Sequence, residues 1–222
     1  MPFSGPQPVD LHEISALNRA FVQLLVQADE AASLLAGFPE DLAARISAMT
    51  LEERNSIAAV PFLVFSLRER DDDYWERLLA EDGNLDLYTD ADAVSPGRAS
   101  LVSAALGFLW QMSRTNPYTL RVICGATLHW CERLAGLPLT AVIQRASSRG
   151  DILELRAREN HQLWDRLTSV PGADTNVRSA VQLSALQSLL IQTEPASPPR
   201  WRSAACRQNA PALRLADDGP GS

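Results

Sequence analysis

The sequence predicts an all-α fold. Three observations carry that expectation: apolar residues recur at helical spacing along most of the chain, capping residues stand where those runs begin, and Gly or Pro stands where they end. From Leu11 the positions Ile14, Leu17, Phe21, Leu24, Leu25, Ala28, Ala31, Ala32 and Leu35 draw one stripe on a long helix. Gly37 stops it, because glycine tolerates the left-handed conformation that ends helices. Pro39 opens a short helix with Glu40 and Asp41 in its first turn, where the helix dipole favours acids, and Leu42, Ile46 and Met49 form its buried face. Thr50-Leu51-Glu52-Glu53 has capping-box spacing and starts a third helix, which carries Ile57 and stops at Pro61. Phe62–Leu67 is too short for periodicity to decide, and its surroundings and the Tyr74, Trp75, Leu78, Leu79 spacing that follows favour a helix.

Residues 81–97 are acidic and rich in turn formers, as expected of a linker. The next helix carries Leu101, Ala104, Ala105, Phe108, Leu109 and Met112. Asn116-Pro117 caps a helix expected to run to Gly136, whose apolar residues nearly surround its axis and predict a central position. A short helix follows Pro138. Asp151 and Glu154 then cap a helix carrying Leu153, Leu155, Leu163, Trp164 and Leu167, which Pro171-Gly172 ends. A last helix carries Val177, Val181, Leu186, Leu189 and Leu190, and the Pro/Ser/Ala-rich residues 194–222 have the composition of a disordered tail. No internal repeat of 20–50 residues is visible.

Charge divides the chain. Residues 1–95 hold 18 acids and 6 arginines, whereas residues 96–193 hold 6 acids and 10 arginines, which predicts an acidic domain over 1–90 and an Arg-bearing bundle over 91–193. A phosphate backbone would be repelled by the first and tolerated by the second. At 222 residues with 46% hydrophobic and 21% charged residues, the chain can bury a sizeable core and is not disordered as a whole. No apolar run is long enough to span a membrane, no secretory signal opens the sequence, and three cysteines do not make a disulfide framework, so the expectation is a cytoplasmic protein.

Few residues point to chemistry. His12, His129 and His161 are scattered, and the seven-residue spacing of Cys124 and Cys131 is not a zinc spacing, so neither metal nor cofactor is expected. Cys206 stands among arginines in the tail. Asp71-Asp72-Asp73 read as acids capping the turn at Tyr74-Trp75, and Trp110, Trp130 and Trp164 read as core residues. No P-loop, GxGxxG, HExxH or GxSxG motif is present, so catalytic residues are not expected. The sharper pattern is a short helix to Ser147, the Ser148-Arg149-Gly150-Asp151 turn, and a helix bearing Arg156, Arg158 and Arg166. That order reads as a helix-turn-helix, with Arg145, Arg149, Arg156 and Arg158 as candidate contacts to DNA or a partner. A plain three-helix bundle with arginines on its outer face gives the same pattern.

Residues 9–70 resemble the flagellar transcriptional regulator FlhD. The resemblance rests on Ile14, Leu17-Asn18, Phe21, Leu24 and Leu25, and on Asp29-Glu30-Ala31-Ala32 before Leu35. It continues through Gly37-Phe38-Pro39-Glu40-Asp41-Leu42-Ala43, the Met49-Thr50-Leu51 junction, and Phe62-Leu63-Val64-Phe65 with Arg68. It implies a non-enzymatic protein whose helices intertwine into a homodimer and join a zinc-binding FlhC-like partner at promoters. Leu17, Phe21, Leu24, Leu25 and Phe65 would form the dimer seam, with Phe65 standing where the family has a cysteine that can link subunits. Together these readings predict an intertwined dimerisation domain followed by an orthogonal, helix-turn-helix-like bundle: a transcriptional activator subunit acting through dimerisation, a partner and promoter DNA. The alternative is a helical adaptor or assembly protein with no DNA role.

Overall fold

The computed structural model describes residues 6–80, 94–169 and 175–193; the domain boundary near 90, most of the acidic linker, the Pro171-Gly172 break and the tail with Cys206 lie outside them. The fold is all-α. Among the described residues the helices are α1 (Pro8–Leu25), α2 (Ala28–Leu34), α3 (Glu40–Ser47), α4 (Leu51–Ala58), α5 (Asp72–Ala80), α6 (Pro96–Thr115), α7 (Pro117–Cys124), α8 (Leu128–Gly136), α9 (Leu139–Ala146), α10 (His161–Thr168) and α11 (Thr175–Thr193). Two short strands, β1 (Phe65–Ser66) and β2 (Glu154–Leu155), pair antiparallel, with Phe65 opposite Leu155 and Ser66 opposite Glu154. None of these helices is long and apolar enough to cross a membrane.

Several caps act as their residue types require. Thr50 accepts from the Glu53 amide at 3.3 Å while Glu53 accepts from the Thr50 amide at 2.6 Å, and the Asn116 side chain accepts from the Thr119 amide. Asp71 accepts from the Tyr74 amide at 3.0 Å and so caps α5.

Four expectations need correction. The long first helix breaks at Val26–Gln27 into α1 and α2, and α2 carries Glu30 to a buried pairing with Arg98 of α6 at 3.4 Å, a long-range contact that periodicity does not encode. Phe62–Leu67 is an irregular buried strap ending in β1, not a helix. The expected central helix is split at Gly125, which has φ +79°, and Thr127 caps the new helix α8 by accepting from the Trp130 amide at 3.1 Å. The helix from Asp151 is absent: residues 151–160 form turns around β2, and α10 starts only where Asn160 accepts from the Leu163 amide. The helix-turn-helix reading fails with it, since Arg156 and Arg158 lie in a turn.

The element order α1–α2–α3–α4–β1–α5 recurs as α6–α7–α8–α9–β2–α10. Leu51–Ala58 and Leu139–Ala146 are 88 residues apart, as are the left-handed glycines Gly37 and Gly125. Past an added residue the offset is 89: Arg68 and Ala157 are both left-handed, Asp71 and Asn160 are both caps, and Trp75-Glu76-Arg77-Leu78 matches Trp164-Asp165-Arg166-Leu167. Two copies of one unit therefore make up the described fold, followed by α11.

The copies exchange their last helices. α10 packs on α3 and α4 of the first copy, and α5 packs on α9 of the second. Equivalent ion pairs mark the exchange, Arg45 to Asp165 at 2.6 Å and Arg133 to Glu76 at 3.5 Å. One continuous core results, running from Ile14 through Phe65 and Leu106 to Trp164, so residues 1–90 and 91–193 do not form separate cores.

This arrangement corrects the expected dimer seam. Leu17, Phe21, Leu24, Leu25 and Phe65 are all buried within one chain. The Phe21 and Phe65 rings meet at 5.1 Å, α1 packs along α4 and α6, and a Cβ placed on Gly97 would stand 3.3 Å from Leu24. The intertwining occurs between two halves of one polypeptide. Truncating a filled core position removes both transfer energy and packing. Phe21→Ala should therefore cost about 3–5 kcal/mol in urea unfolding, with a midpoint independent of protein concentration; a midpoint that rises with concentration would place the seam between chains instead.

Candidate functional site

The polar centre of the molecule is built around the strap Val60–Arg68. An irregular buried segment cannot satisfy its amides and carbonyls by itself, so each needs a partner from elsewhere. Asn18 of α1 supplies two: its side-chain amide donates to the Phe62 carbonyl at 2.8 Å and its carbonyl oxygen accepts from the Val64 amide at 3.0 Å. The Leu63 amide donates to Ile123 and the Arg156 amide to Val64, both at 3.1 Å.

Arg156 closes the arrangement. Its guanidinium donates to the carbonyls of Leu63 (3.1 Å) and Ile123, with a longer approach of 3.5 Å to Val122. Val122 and Ile123 lie in the last turn of α7, where carbonyls lack helical donors and a cation is favoured by the dipole. Gly125 meets two demands there. Its φ of +79° suits glycine, and a Cβ would lie 2.9 Å from Arg156 Nη2. Arg156 is 7% exposed; burial lowers its pKa, Cys124 and Glu69 oppose that shift, and a guanidinium stays cationic regardless.

Beside the strap, the chain leaves β1 through Arg68, whose φ of +57° is costly for a residue with a Cβ. The turn is held by the Ser66 hydroxyl, which accepts from the Arg68 amide at 3.0 Å and donates to Glu69 Oε2 at 2.6 Å. Trp75 Nε1 donates to the Leu67 and Arg68 carbonyls, both at 3.1 Å. At the surface the Arg68 guanidinium lies 4.4 Å from the Tyr74 ring centroid and pairs loosely with Asp71, Asp151 and Glu154 at 3.4–3.6 Å. Tyr74 donates to Asp151 at 3.0 Å; burial first, and then Asp151, raise its phenol pKa. Glu69 is 1% exposed and its Oε1 has no hydrogen-bond partner. Burial raises its pKa above the ordinary 4.5, against the opposing pull of Ser66, the Leu67 and Glu69 amides and Arg156.

The four arginines singled out as DNA or partner contacts have different fates. Arg156 is withdrawn from any surface role. Arg158 is half-buried, with Nη2 3.3 Å from where a Gly37 Cβ would be. Arg145 and Arg149 are half-buried at the end of α9 and in the turn after it, and Arg149 lies in the electrostatic field of Tyr74. No protein-family model matches the chain, and no curated protein or solved structure matches it. Its chemistry must therefore be read from its own groups. His12 and His129 are exposed on separate helices, and His161 lies 5.3 Å from Phe38. Cys124 and Cys131 are buried; burial pushes the Cys124 thiol well up and the Cys131 thiol to about 12. Such thiols are not thiolate nucleophiles at neutral pH. Among the described residues no group of three His, Cys, Asp or Glu is placed to hold a metal.

Sequence reasoning missed Asn18 and Arg98 as internal clamps. Arg98 donates to the Leu153 carbonyl at 3.1 Å and so ties α6 to the residue before β2. The Gly125-Ala126-Thr127 stop-and-start signature was available, whereas the partners of Arg98 and Asn18, 44 to 68 residues away, left no local trace.

Two outcomes are expected. Arg156→Met strips the buried Leu63 carbonyl of its side-chain donor, while the Ile123 carbonyl keeps the Leu63 amide, and should cost about 1–3 kcal/mol in urea unfolding, with Arg156→Lys recovering only part because an ammonium lacks the guanidinium fork; a loss below about 0.5 kcal/mol would mean that the contacts matter little. Because Glu69 has a raised folded pKa, the stability of its neutral form is fully present below 4.5 and is lost as pH rises through the raised value. Glu69→Gln should remove that part of the pH slope in urea midpoints taken from pH 4.5 to 7.5, and parallel slopes for both proteins would contradict the assignment.

Proposed function

We propose that this protein is a cytosolic helical adaptor, a binding module that neither catalyses a reaction nor reads DNA itself. The observation that carries the reading is the position of Arg156: the guanidinium expected to face phosphate is spent on the carbonyls of Leu63 and Ile123 inside the fold. A DNA-reading helix would need arginines projecting from a regular element, and the segment bearing Arg156 and Arg158 is a turn. The buried, strongly raised cysteine thiols and the separated histidines support binding over covalent or acid–base chemistry. The duplicated unit supports it further, because two copies of one unit whose sequences have diverged to opposite charge balance can engage different partners.

A second reading keeps the FlhD-like regulator in reduced form. Arg145 and Arg149 are partly exposed in the half of the chain with excess positive charge, which favours a subunit that recruits a partner to a promoter and adds a few phosphate contacts. A gel-shift titration of the full chain on genomic fragments separates the two. The adaptor reading predicts no retardation even at about 50 mM salt, where phosphate contacts are strong. Retardation that falls steeply with salt and disappears in Arg145→Glu/Arg149→Glu would replace it with the regulator.

A further inference from the structure

The two copies of the unit serve as controls for each other, and they differ at the foot of the exchanged helix. Glu69 lies between the left-handed Arg68 and the Asp71 cap, on the turn that joins the strap to α5. It is buried, Ser66 donates to its Oε2, and its Oε1 has no partner. Asp72, the first residue of α5, likewise has a buried Oδ1 without a partner. The other groups that face Glu69 are Arg156 from the turn after β2, Cys124 of α7 and Cys131 of α8. The thiols are neutral near neutral pH, and Arg156 is committed to the carbonyls of Leu63 and Ile123. In the second copy the equivalent residue before α10 is Arg158, which is half-buried. The seams differ in the same direction. Arg45 locks α10 by donating to Asp165 at 2.6 Å, to the Thr168 hydroxyl at 2.7 Å and to the Ser169 hydroxyl at 3.2 Å. Across the α5 seam Tyr74 donates to Asp151 at 3.0 Å, and Arg133 reaches a largely exposed Glu76 only at 3.5 Å. The buried acid therefore stands under the helix that is held less tightly.

We propose that Glu69 is a proton-operated latch on α5: neutral, it leaves the helix seated on α8 and α9, and ionised, it loosens that seat so that α5 lifts away on the turn at Arg68. A carboxylate at this position has one oxygen without a donor in the core, and lifting α5 brings that oxygen to water. Burial raises the Glu69 pKa in the seated state, so seating is strongest below 4.5, where the group is protonated whether α5 is seated or not. Above that pH seating weakens by about tenfold per unit, and it levels off once the raised value is passed. Helix α10, with Arg158 at the matching place, should not follow this dependence. The device goes beyond the adaptor reading and does not depend on it.

The test uses the full chain and the hydrogen-exchange rates of two indole N–H groups. Trp75 donates to the Leu67 and Arg68 carbonyls and Trp164 to the Arg156 carbonyl, so the two occupy equivalent places on α5 and α10. Their rate ratio cancels the intrinsic pH dependence of indole exchange and reports the opening of α5 against that of α10. In wild type the ratio of Trp75 to Trp164 should rise about tenfold or more between pH 5 and pH 8. In Glu69→Gln it should stay constant to about twofold, since the amide cannot ionise. Histidine titrates in the same window, but His129 and His161 are kept in both proteins, so their effects cancel in the comparison. Ser66→Ala removes the hydroxyl that favours the carboxylate and should move the levelling-off to higher pH, a displacement that packing by Glu69 alone would not give. A constant ratio in wild type, an equal rise in Glu69→Gln, or levelling-off at an unchanged pH in Ser66→Ala would each overturn the proposal.

Discussion

A buried chain segment without regular structure must find a partner for every amide and carbonyl, and this requirement organises the molecule. The strap Val60–Arg68 runs through the core with its side chains Phe62, Leu63, Val64, Phe65 and Leu67 all buried. Its backbone is satisfied by Asn18, by Arg156, by the end of α7 and by the short pairing with β2. Each partner comes from a different element, so the strap fixes the relative positions of α1, α7 and the turn after β2 together. Leaving any of these groups unpaired would cost more than the modest net gain of the bond itself.

Duplication explains why the strap can sit there. Each copy of the unit places a strap, a strand and a left-handed residue before its last helix, and the strands meet at the centre while the last helices cross to the other copy. The tryptophans follow the same rule, Trp75 donating to Leu67 and Trp164 to Arg156, eight residues earlier in each case. The symmetry is broken where the clamps lie. Asn18 corresponds to Leu106 and Arg156 to Leu67, so each polar clamp faces a position that is apolar in the other copy, and both leucines are fully buried. Within one chain the two copies are free to diverge, and the interior polar groups, like the acidic and basic surface balances, are distributed unequally between them.

Local chemistry was legible in the sequence and long-range pairing was not. The Thr50–Glu53 box, the Asn116 cap, the Gly37 stop and the Asp71 cap are short-range devices whose residue types state their purpose. Leu17, Phe21, Leu24 and Leu25 were legible as a seam, but an apolar stripe does not say whether its cover comes from another chain or from later in the same one. Arg156 misled for a related reason: an arginine near a turn looks the same in sequence whether it faces phosphate or three carbonyls. The repeat escaped notice because its period is longer than those of common solenoid units and its identities are sparse and scattered, among them Gly37/Gly125, Arg45/Arg133, Leu51/Leu139 and the Trp-acid-Arg-Leu runs. Of the candidate site, only the acidic cap at Asp71 and the core tryptophans could be placed in advance.

The central claim is that Asn18 and Arg156, 138 residues apart, hold one and the same segment. A double-mutant cycle with Asn18→Ala and Arg156→Met, followed by urea unfolding of the full chain, measures this directly. Residues that share a partner segment should couple, and an interaction energy of about 0.5–3 kcal/mol is the predicted result. Additivity within about 0.3–0.5 kcal/mol would show that the two side chains act independently and would contradict the claim.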